Sequence, residues 1–284
     1  MAMATGIFGR RSLHRAVQAS SWQLLLRSMG TETAAAASSE QIAGRKSKKE
    51  GKRFYEKAHA RPSEKDGYEV LLDHRVLRTP AKKPLKLPNP ALALAVAAEW
   101  EWQDSSGIRA FTMPLVRLTS ITLDQVPTDR EKIIATLLKY CHTDTLCCRA
   151  DEGSKLADKQ VKLWDPLLDW AEKEVGARPV VSSSIFGTIQ PYPVIFALDK
   201  TLRSMSDWEL AAVDSLAGAA KSLVVALAIA RNELSIERAI DIIRVEEEHQ
   251  IEDWGHVEGG HDIDIADLRV QITAASVFLR LLNH

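Results

Sequence analysis

One run of eight residues constrains the fold of this chain more than any other feature. Leu223–Ala230, with the sequence LVVALAIA, has no polar side chain, and it lies in a predicted helix over residues 206–231. A helix that is apolar on every side must be surrounded by other elements, because water on any face would oppose its folding. Asp214 and Lys221 interrupt the surrounding sequence, so the uncharged stretch is too short to cross a bilayer. We therefore predict a central buried helix and no membrane span.

The first part of the folded chain has a different pattern, with short extended runs separated by turns. Asp73-His74 lies between two of these runs and has the length of a hairpin turn. Asn89-Pro90 then provides a helix cap and a proline for the first turn. A further short strand, over residues 144–150, is predicted to return to the sheet.

These patterns predict an α+β fold with two parts. The first is a small N-terminal antiparallel-sheet domain with helices, over residues 53–152. The second is a C-terminal all-helical domain, over residues 153–284, in which the apolar run is the central element. Its last two helices are expected over residues 235–254 and about 263–282.

The N-terminal region differs in composition from the rest. No acidic residue occurs before Glu32, whereas arginine, serine and alanine are frequent. This composition is typical of an organelle transit peptide, and we predict a mitochondrial presequence over residues 1–40, followed by a linker over residues 41–52. The expected location is the mitochondrial matrix. The alternatives are a chloroplast transit peptide and a disordered N-terminus.

The charge and the motifs exclude several classes of function. After residue 50 the chain carries 29 basic and 35 acidic side chains, and this balance argues against a nucleic-acid partner. The sequence contains no G-x-S-x-G, no P-loop and no G-x-G-x-x-G. We therefore predict no catalytic residue, no cofactor and no small-molecule substrate. Three cysteines without C-x-x-C spacing favour a reducing compartment.

The predicted helix over residues 235–254 contains the most informative side chain. On a helical wheel, Glu247 lies on the same line as Trp254 and four isoleucines of this segment, Ile236, Ile240, Ile243 and Ile251. A carboxylate within an apolar stripe must find a partner, take up a proton or lie at an open groove. Three interpretations stay open: an ion pair with Arg244 or another arginine, a contact with a partner protein, and a metal ligand.

The metal interpretation depends on Glu246 and His249, whose spacing occurs in di-iron carboxylate bundles. Glu258 and His261 repeat this spacing, but across two glycines, where a rigid helix is not expected. A di-iron site also needs a glutamate from each of two other helices, and only Asp214 is a candidate position. A carboxylate-bridged metalloenzyme on the C-terminal helices is therefore the alternative function.

The tryptophans fall into two groups. Trp102 lies on the polar side of its helix and is predicted to be exposed, where tryptophan is a favoured anchor of protein interfaces. The tryptophans on apolar helix faces are predicted to be core residues: Trp100, Trp164, Trp170, Trp208 and Trp254.

Seven stretches of the chain occur in the order seen in one protein family. They are KRFYEKA, GYEVLLDHRVLRTPAKKPLKLP, LALAVAAEWEWQ, MPLVRLTS, TDTLCCRAD, WDPLLDWAEKEVGA and VEEEHQIEDWG. Through them the sequence resembles, from about residue 52 to 283, the mitochondrial F1-ATPase assembly factors that chaperone the alpha subunit of ATP synthase.

The resemblance implies a function without catalysis or a cofactor. A protein of this family binds the unassembled alpha subunit and prevents its aggregation until a beta subunit replaces the chaperone. The family's hallmark tryptophan corresponds to Trp100. Its acidic helix segment corresponds to Glu246, Glu247, Glu248, Gln250, Trp254 and Gly255.

We expect two sets of functional residues on this basis. Partner contacts are expected from Glu246, Glu247, Glu248, Gln250, Trp254 and Trp102. Structural roles are expected for Trp100, Trp164 and Gly255. A permanent structural subunit of the assembled complex is a further alternative to a chaperone.

Overall fold

The computed structural model describes residues 51–184, 188–255 and 261–284. The predicted presequence and nearly all of the predicted linker lie outside the described residues. The first element of the described residues is a small antiparallel sheet in which β2 pairs with each of the other three strands. The strands are β1 (Ala58–Pro62), β2 (Tyr68–Leu72), β3 (Arg75–Val76) and β4 (Lys86–Leu87).

Ten α-helices follow the sheet within the described part of the chain. They are α1 (Pro90–Glu101), α2 (Pro114–Asp124), α3 (Val126–Tyr140), α4 (Lys155–Val175), α5 (Tyr192–Ser204), α6 (Asp207–Ala220), α7 (Leu223–Ala230), α8 (Ile236–Ile243), α9 (Val245–Trp254) and α10 (His261–Leu282). An N-terminal antiparallel sheet followed by helices confirms the predicted α+β fold class.

The β2–β3 hairpin closes through the predicted two-residue turn, since Leu72 pairs with Arg75. Asp73 adopts a left-handed backbone conformation, with φ of +55°. Aspartate tolerates this region better than most residues because its side chain can bond to nearby backbone groups. Here its Oδ1 accepts hydrogen bonds from the backbone N–H groups of Glu56 and Lys57, at 3.0 and 2.9 Å. The same carboxylate therefore stabilises the turn and fixes the entry to β1.

The apolar run forms α7 and is buried as predicted: its first seven side chains are at most 3% exposed. The prediction of one helix over residues 206–231 is wrong, because the helix is interrupted at Lys221, between α6 and α7. This residue has φ of +54°, and the next one, Ser222, caps α7 by accepting a hydrogen bond from Val225. The break lets α6 and α7 pack against each other.

The strand predicted over residues 144–150 is absent. Thr145–Cys147 instead forms a 3-10 turn, in which Leu146 N–H donates to Asp144 Oδ1 at 3.0 Å. Cys148 pairs with Ser182 in an isolated bridge and does not join the sheet. The apolar Leu146 and Cys147, which favoured a strand, are buried in this tight turn because Asp144 satisfies the turn locally.

The C-terminal helix α10 packs against helices of both predicted domains. It packs against α1 and α2 as well as against α6, and it buries Ile272, Ala275 and Phe278 completely. Asn89, which caps α1, also donates from its side-chain amide to the carbonyl of Leu281 at 2.7 Å. One continuous apolar core therefore includes residues of both predicted domains. Within the described residues, no helix combines the length and apolar character that a membrane span requires.

Candidate partner-binding surface

The helix is interrupted at Arg244, between α8 and α9, so the prediction of one continuous helix over residues 235–254 is wrong. Arg244 has φ of −98° and ψ of 5°, values that end one helix and begin the next. The face of α8 that contains Ile240 is buried, whereas α9 buries only Val245. Glu247 therefore does not continue the apolar line of α8.

Glu247 forms an ion pair within its own chain. Arg244 Nε donates to Glu247 Oε2 at 3.3 Å, and the Glu247 side chain is 17% exposed. Arg244 also pairs with Glu248 through Nη1, and Glu248 is half exposed. Two glutamates thus share one arginine at the first turn of α9, where the helix dipole also favours negative charge. The ion-pair interpretation of Glu247 describes this geometry, and a direct contact of Glu247 with a partner stays a prediction.

Glu246 attaches α9 to the body of the protein. Gln160 on α4 is fully buried and donates from Nε2 to Glu246 Oε1 at 3.0 Å, while its own Oε1 accepts from Ala150 N–H at 2.8 Å. Burial raises the pKa of Glu246, and the nearby positive charge of Lys221 and the bond from Gln160 oppose this rise. An ion pair between Lys159 and Glu252 adds a second link between α4 and α9. The orientation of α9 is therefore fixed by polar contacts.

The outer side of α9 is acidic and ends in an exposed aromatic residue. Trp254 is 83% exposed, so its predicted place in the core is wrong. Gly255 follows with φ of +84°, a conformation that favours glycine. The half-buried Gln250 lies on the same helix. We call the exposed residues of α9 the acidic surface: Glu248, Glu252, Asp253 and Trp254.

The other tryptophans vary in burial. Trp102 is 86% exposed at the end of α1, and Trp100, two residues earlier, is only 4% exposed. Trp164 on α4 is fully buried, and its Nε1 donates to the carbonyl of Ile242 in α8 at 3.1 Å. Trp170 and Trp208 are partly buried against the core.

The predicted metal ligands are not brought together. Glu246 bonds to Gln160, whereas the His249 ring lies 3.6 Å from the Asp253 carboxylate and 3.9 Å from that of Glu252. Asp214 lies near Arg117, in a different part of the core. In the portion of the chain that the structure describes, no three His, Cys, Asp or Glu residues are grouped as metal ligands. Of the second Glu-x-x-His, residues 258–260 lie outside this portion.

Two carboxylates were not predicted from the sequence, the half-buried Glu99 and the fully buried Asp144, and each caps a later helix of the chain. Glu99 accepts hydrogen bonds from the N–H groups of Leu115 and Val116, each at 2.8 Å, at the start of α2. Asp144 accepts from Leu223 N–H at 2.8 Å and from Val224 N–H at 3.3 Å, at the start of α7. No local pattern reveals such a pairing, because donor and acceptor are separated by turns or by whole helices.

Glu99 makes the stability of the protein dependent on pH. Burial raises its pKa from the ordinary value of 4.5 to about 7, although the two backbone N–H groups oppose the rise. Between these values the unfolded chain releases a proton that the folded chain retains, so the free energy of unfolding falls as pH rises. We expect a loss of about 2 to 3 kcal/mol between pH 5 and pH 8 from this group. Urea unfolding at the two pH values measures it.

The matched variant for this prediction is Glu99→Gln, which keeps the shape of the side chain but does not titrate. Asp214 has a pKa that burial raises to about 6, and it contributes a change of the same sign in both proteins. The difference between the two pH dependences therefore isolates Glu99. Equal pH dependence in both proteins would contradict the prediction.

With this geometry described, comparison with known proteins identifies the family. The profile of a family described as "ATP12 chaperone protein" matches residues 52–172. The chain superposes on the crystal structure of Atp12 from Paracoccus denitrificans with a TM-score of 0.75 and 33% identity, over 81% of this chain and 98% of the bacterial one.

The chain belongs to the ATP12 chaperone family.

Two yeast members of the ATP12 family extend this comparison. The mitochondrial protein atp12 of Schizosaccharomyces pombe is 27% identical over 225 residues, which cover 75% of this chain and 77% of the yeast protein. The mitochondrial ATP12 of Saccharomyces cerevisiae is 25% identical over 273 residues, which cover 81% and 84%. The family predicted from the seven sequence stretches is thus confirmed, and both yeast relatives are mitochondrial proteins by name.

Proposed function

We propose that this protein is an assembly chaperone for the F1 part of mitochondrial ATP synthase. It acts in the mitochondrial matrix, binds the unassembled alpha subunit and prevents its aggregation until a beta subunit replaces it. The observation that supports this proposal most strongly is the likeness to Atp12 over 81% of the chain. That likeness includes both the sheet domain and the helical part.

The acidic surface fits this role physically. An unassembled subunit exposes a large interface of apolar and charged groups, and such a surface is prone to aggregation. A chaperone must cover it and later leave, which favours a contact with many polar groups over a sealed apolar one. Trp254 supplies an aromatic anchor, and the carboxylates around it select basic or amide-rich partner groups.

The sharpest test on this surface is Trp254→Ala. Because the side chain is 83% exposed, the variant should fold with unchanged stability. We expect its Kd for the purified alpha subunit to rise about thirtyfold, as for loss of an aromatic hot spot of about 2 kcal/mol. Biolayer interferometry measures the affinity, and light scattering of the alpha subunit measures protection from aggregation.

Tyr192→Ala is the matched control, since Tyr192 is an aromatic residue that is 75% exposed on α5. It should bind the alpha subunit as the unchanged protein does. Glu247→Lys is a less clean variant, because it would place a second positive charge against Arg244. A Trp254→Ala protein with unchanged affinity would exclude Trp254 as a contact.

The choice of partner needs a separate experiment. Purified protein should retain free alpha subunit, should not retain free beta subunit, and should be missing from assembled F1 in sucrose-gradient fractions. Retention of beta alone would contradict the proposed partner. Stoichiometric presence in assembled F1 would indicate a permanent structural subunit.

A further inference from the structure

A second surface, which shares no residue with the acidic surface, has the form of a groove. It lies between α1, α2 and α10 and has a volume of about 310 Å³. Its walls are largely apolar, and one carboxylate lines it. The residues that define it are Pro114 and Leu115 on α2, Val270, Ala274 and Val277 on α10, and Glu99 on α1.

The α10 wall has the spacing of a helix-packing face. Val270, Ala274 and Val277 are separated by four and three residues, so they lie on one side of the helix. Val270 is half exposed, and Ile263, seven residues earlier, is 69% exposed. Ile263, Val270 and Val277 thus repeat every seven residues, which is the spacing of a seam that packs against a second helix. Ile263 and Val270 are exposed and Val277 is half-buried, so this partly exposed apolar line has the spacing that suits a helical partner.

The charges of the groove favour a cation at its centre. Each Glu99 oxygen accepts one backbone N–H, and each keeps a second lone pair for another donor. Arg269 also lines the groove but is itself exposed, where a charge contributes little to binding. An ion pair between a cation of the partner and the mostly buried Glu99 is screened less by water. The exposed Asp262 and Asp264 add negative charge towards the start of α10.

We propose that this groove binds an amphipathic helix of the unassembled F1 subunit, with its apolar stripe on Val270 and Val277 and a lysine or arginine directed at Glu99. The inference rests on the proposed function and assigns that partner a second contact. Pro114, the first residue of α2 and part of the groove, lies two residues after the 3-10 turn Ala110–Thr112, in which Phe111 is 70% exposed.

The test uses Val270→Arg in the full chain, with Val180→Arg as the matched control. Both valines are of similar exposure, at 50% and 43%, but Val180 lies beside Gln190, outside the groove. Arginine at position 270 blocks the seam and repels a basic helix. We expect its Kd for purified alpha subunit to rise at least tenfold, while Val180→Arg and Val270→Leu stay within twofold of the unchanged protein.

The results separate this inference from the proposed function. If all three variants bind alpha alike, the groove assignment is wrong and the chaperone proposal stands. If the unchanged protein does not bind alpha at all, the chaperone proposal itself fails. A loss of affinity confined to Val180→Arg would place the partner on another face and overturn the groove.

The nature of the occupant is tested with a photo-crosslinking residue at position 277, followed by mass spectrometry of the complex with purified alpha subunit. A crosslinked segment that is helical in the folded alpha subunit, with a lysine or arginine on its apolar face, supports the inference. A crosslinked extended strand, or crosslinks only between two copies of this chain, would overturn it.

Discussion

Trp100→Arg is expected to unfold most of the protein at 37 °C and to lower the free energy of unfolding by at least about 3–5 kcal/mol. The Trp100 side chain is 4% exposed, and its ring lies edge-on to Tyr55 at 5.8 Å. Tyr55 also donates from its hydroxyl to the Trp100 carbonyl at 2.6 Å. Arginine at this position would bury a charge against apolar groups and separate the segment around Tyr55 from α1.

The control for this prediction is two residues away. Trp102→Arg changes the same residue type at a site that is 86% exposed, so its effect on stability should stay within about 0.5 kcal/mol. Chemical denaturation and circular dichroism of both variants measure the contrast. Similar losses of stability in the two variants would contradict the orientation of α1. If Trp102 contacts the partner, its variant should instead lose affinity for the alpha subunit.

Features with a local physical cause could be predicted from the sequence. Asn89 caps α1 by accepting a hydrogen bond from Leu92, three residues later. Ser206 and Glu209 form the capping box that their spacing predicts. The burial of Leu223–Ala230 follows from composition alone, since an apolar helix has no face that tolerates water. In each case all the interacting groups lie within a few residues.

The helix breaks at Lys221 and Arg244 could not be predicted in this way. Both basic residues have good helix propensity, and the sequence around them remains compatible with a helix. The break at Lys221 is stabilised by Asp144, almost eighty residues earlier, which satisfies the N–H groups that α7 exposes at its start. The tertiary contact with Asp144 therefore overrides the helix propensity of Lys221. No pattern within one segment predicts such a contact.

The same cause explains the errors at the candidate site. A helical wheel over residues 235–254 assumes one continuous helix from Ile236 to Trp254. Because the helix is interrupted at Arg244, the side chains of α8 and α9 do not follow one helical repeat. Trp254 therefore points into water, although its spacing from the isoleucines of α8 predicted the core. Glu247 pairs with the residue at the break itself. Of the acidic surface the sequence singled out Glu248 and Trp254 but not Glu252 and Asp253, and the orientation of all four depends on a single backbone junction.

The buried carboxylate of Asp144 links two segments that are far apart along the chain. It is 1% exposed, and its two oxygens accept from three backbone N–H groups, those of Leu146, Leu223 and Val224. Burial raises the pKa of Asp144, and the hydrogen bonds, including one with the Ser222 side chain, oppose the rise. A single side chain therefore joins the turn after α3 to the start of the central helix.

Asp144→Ala is expected to lower the free energy of unfolding by about 3–5 kcal/mol, because it leaves three buried N–H groups without an acceptor. Asp144→Asn keeps one acceptor oxygen and should lose less, whereas alanine at the exposed Asp241 should change stability by less than about 0.5 kcal/mol. Urea unfolding of the three variants gives the order directly. If alanine and asparagine at position 144 had equally small effects, water would have to reach the start of α7, and the central helix could not be as enclosed as its burial indicates.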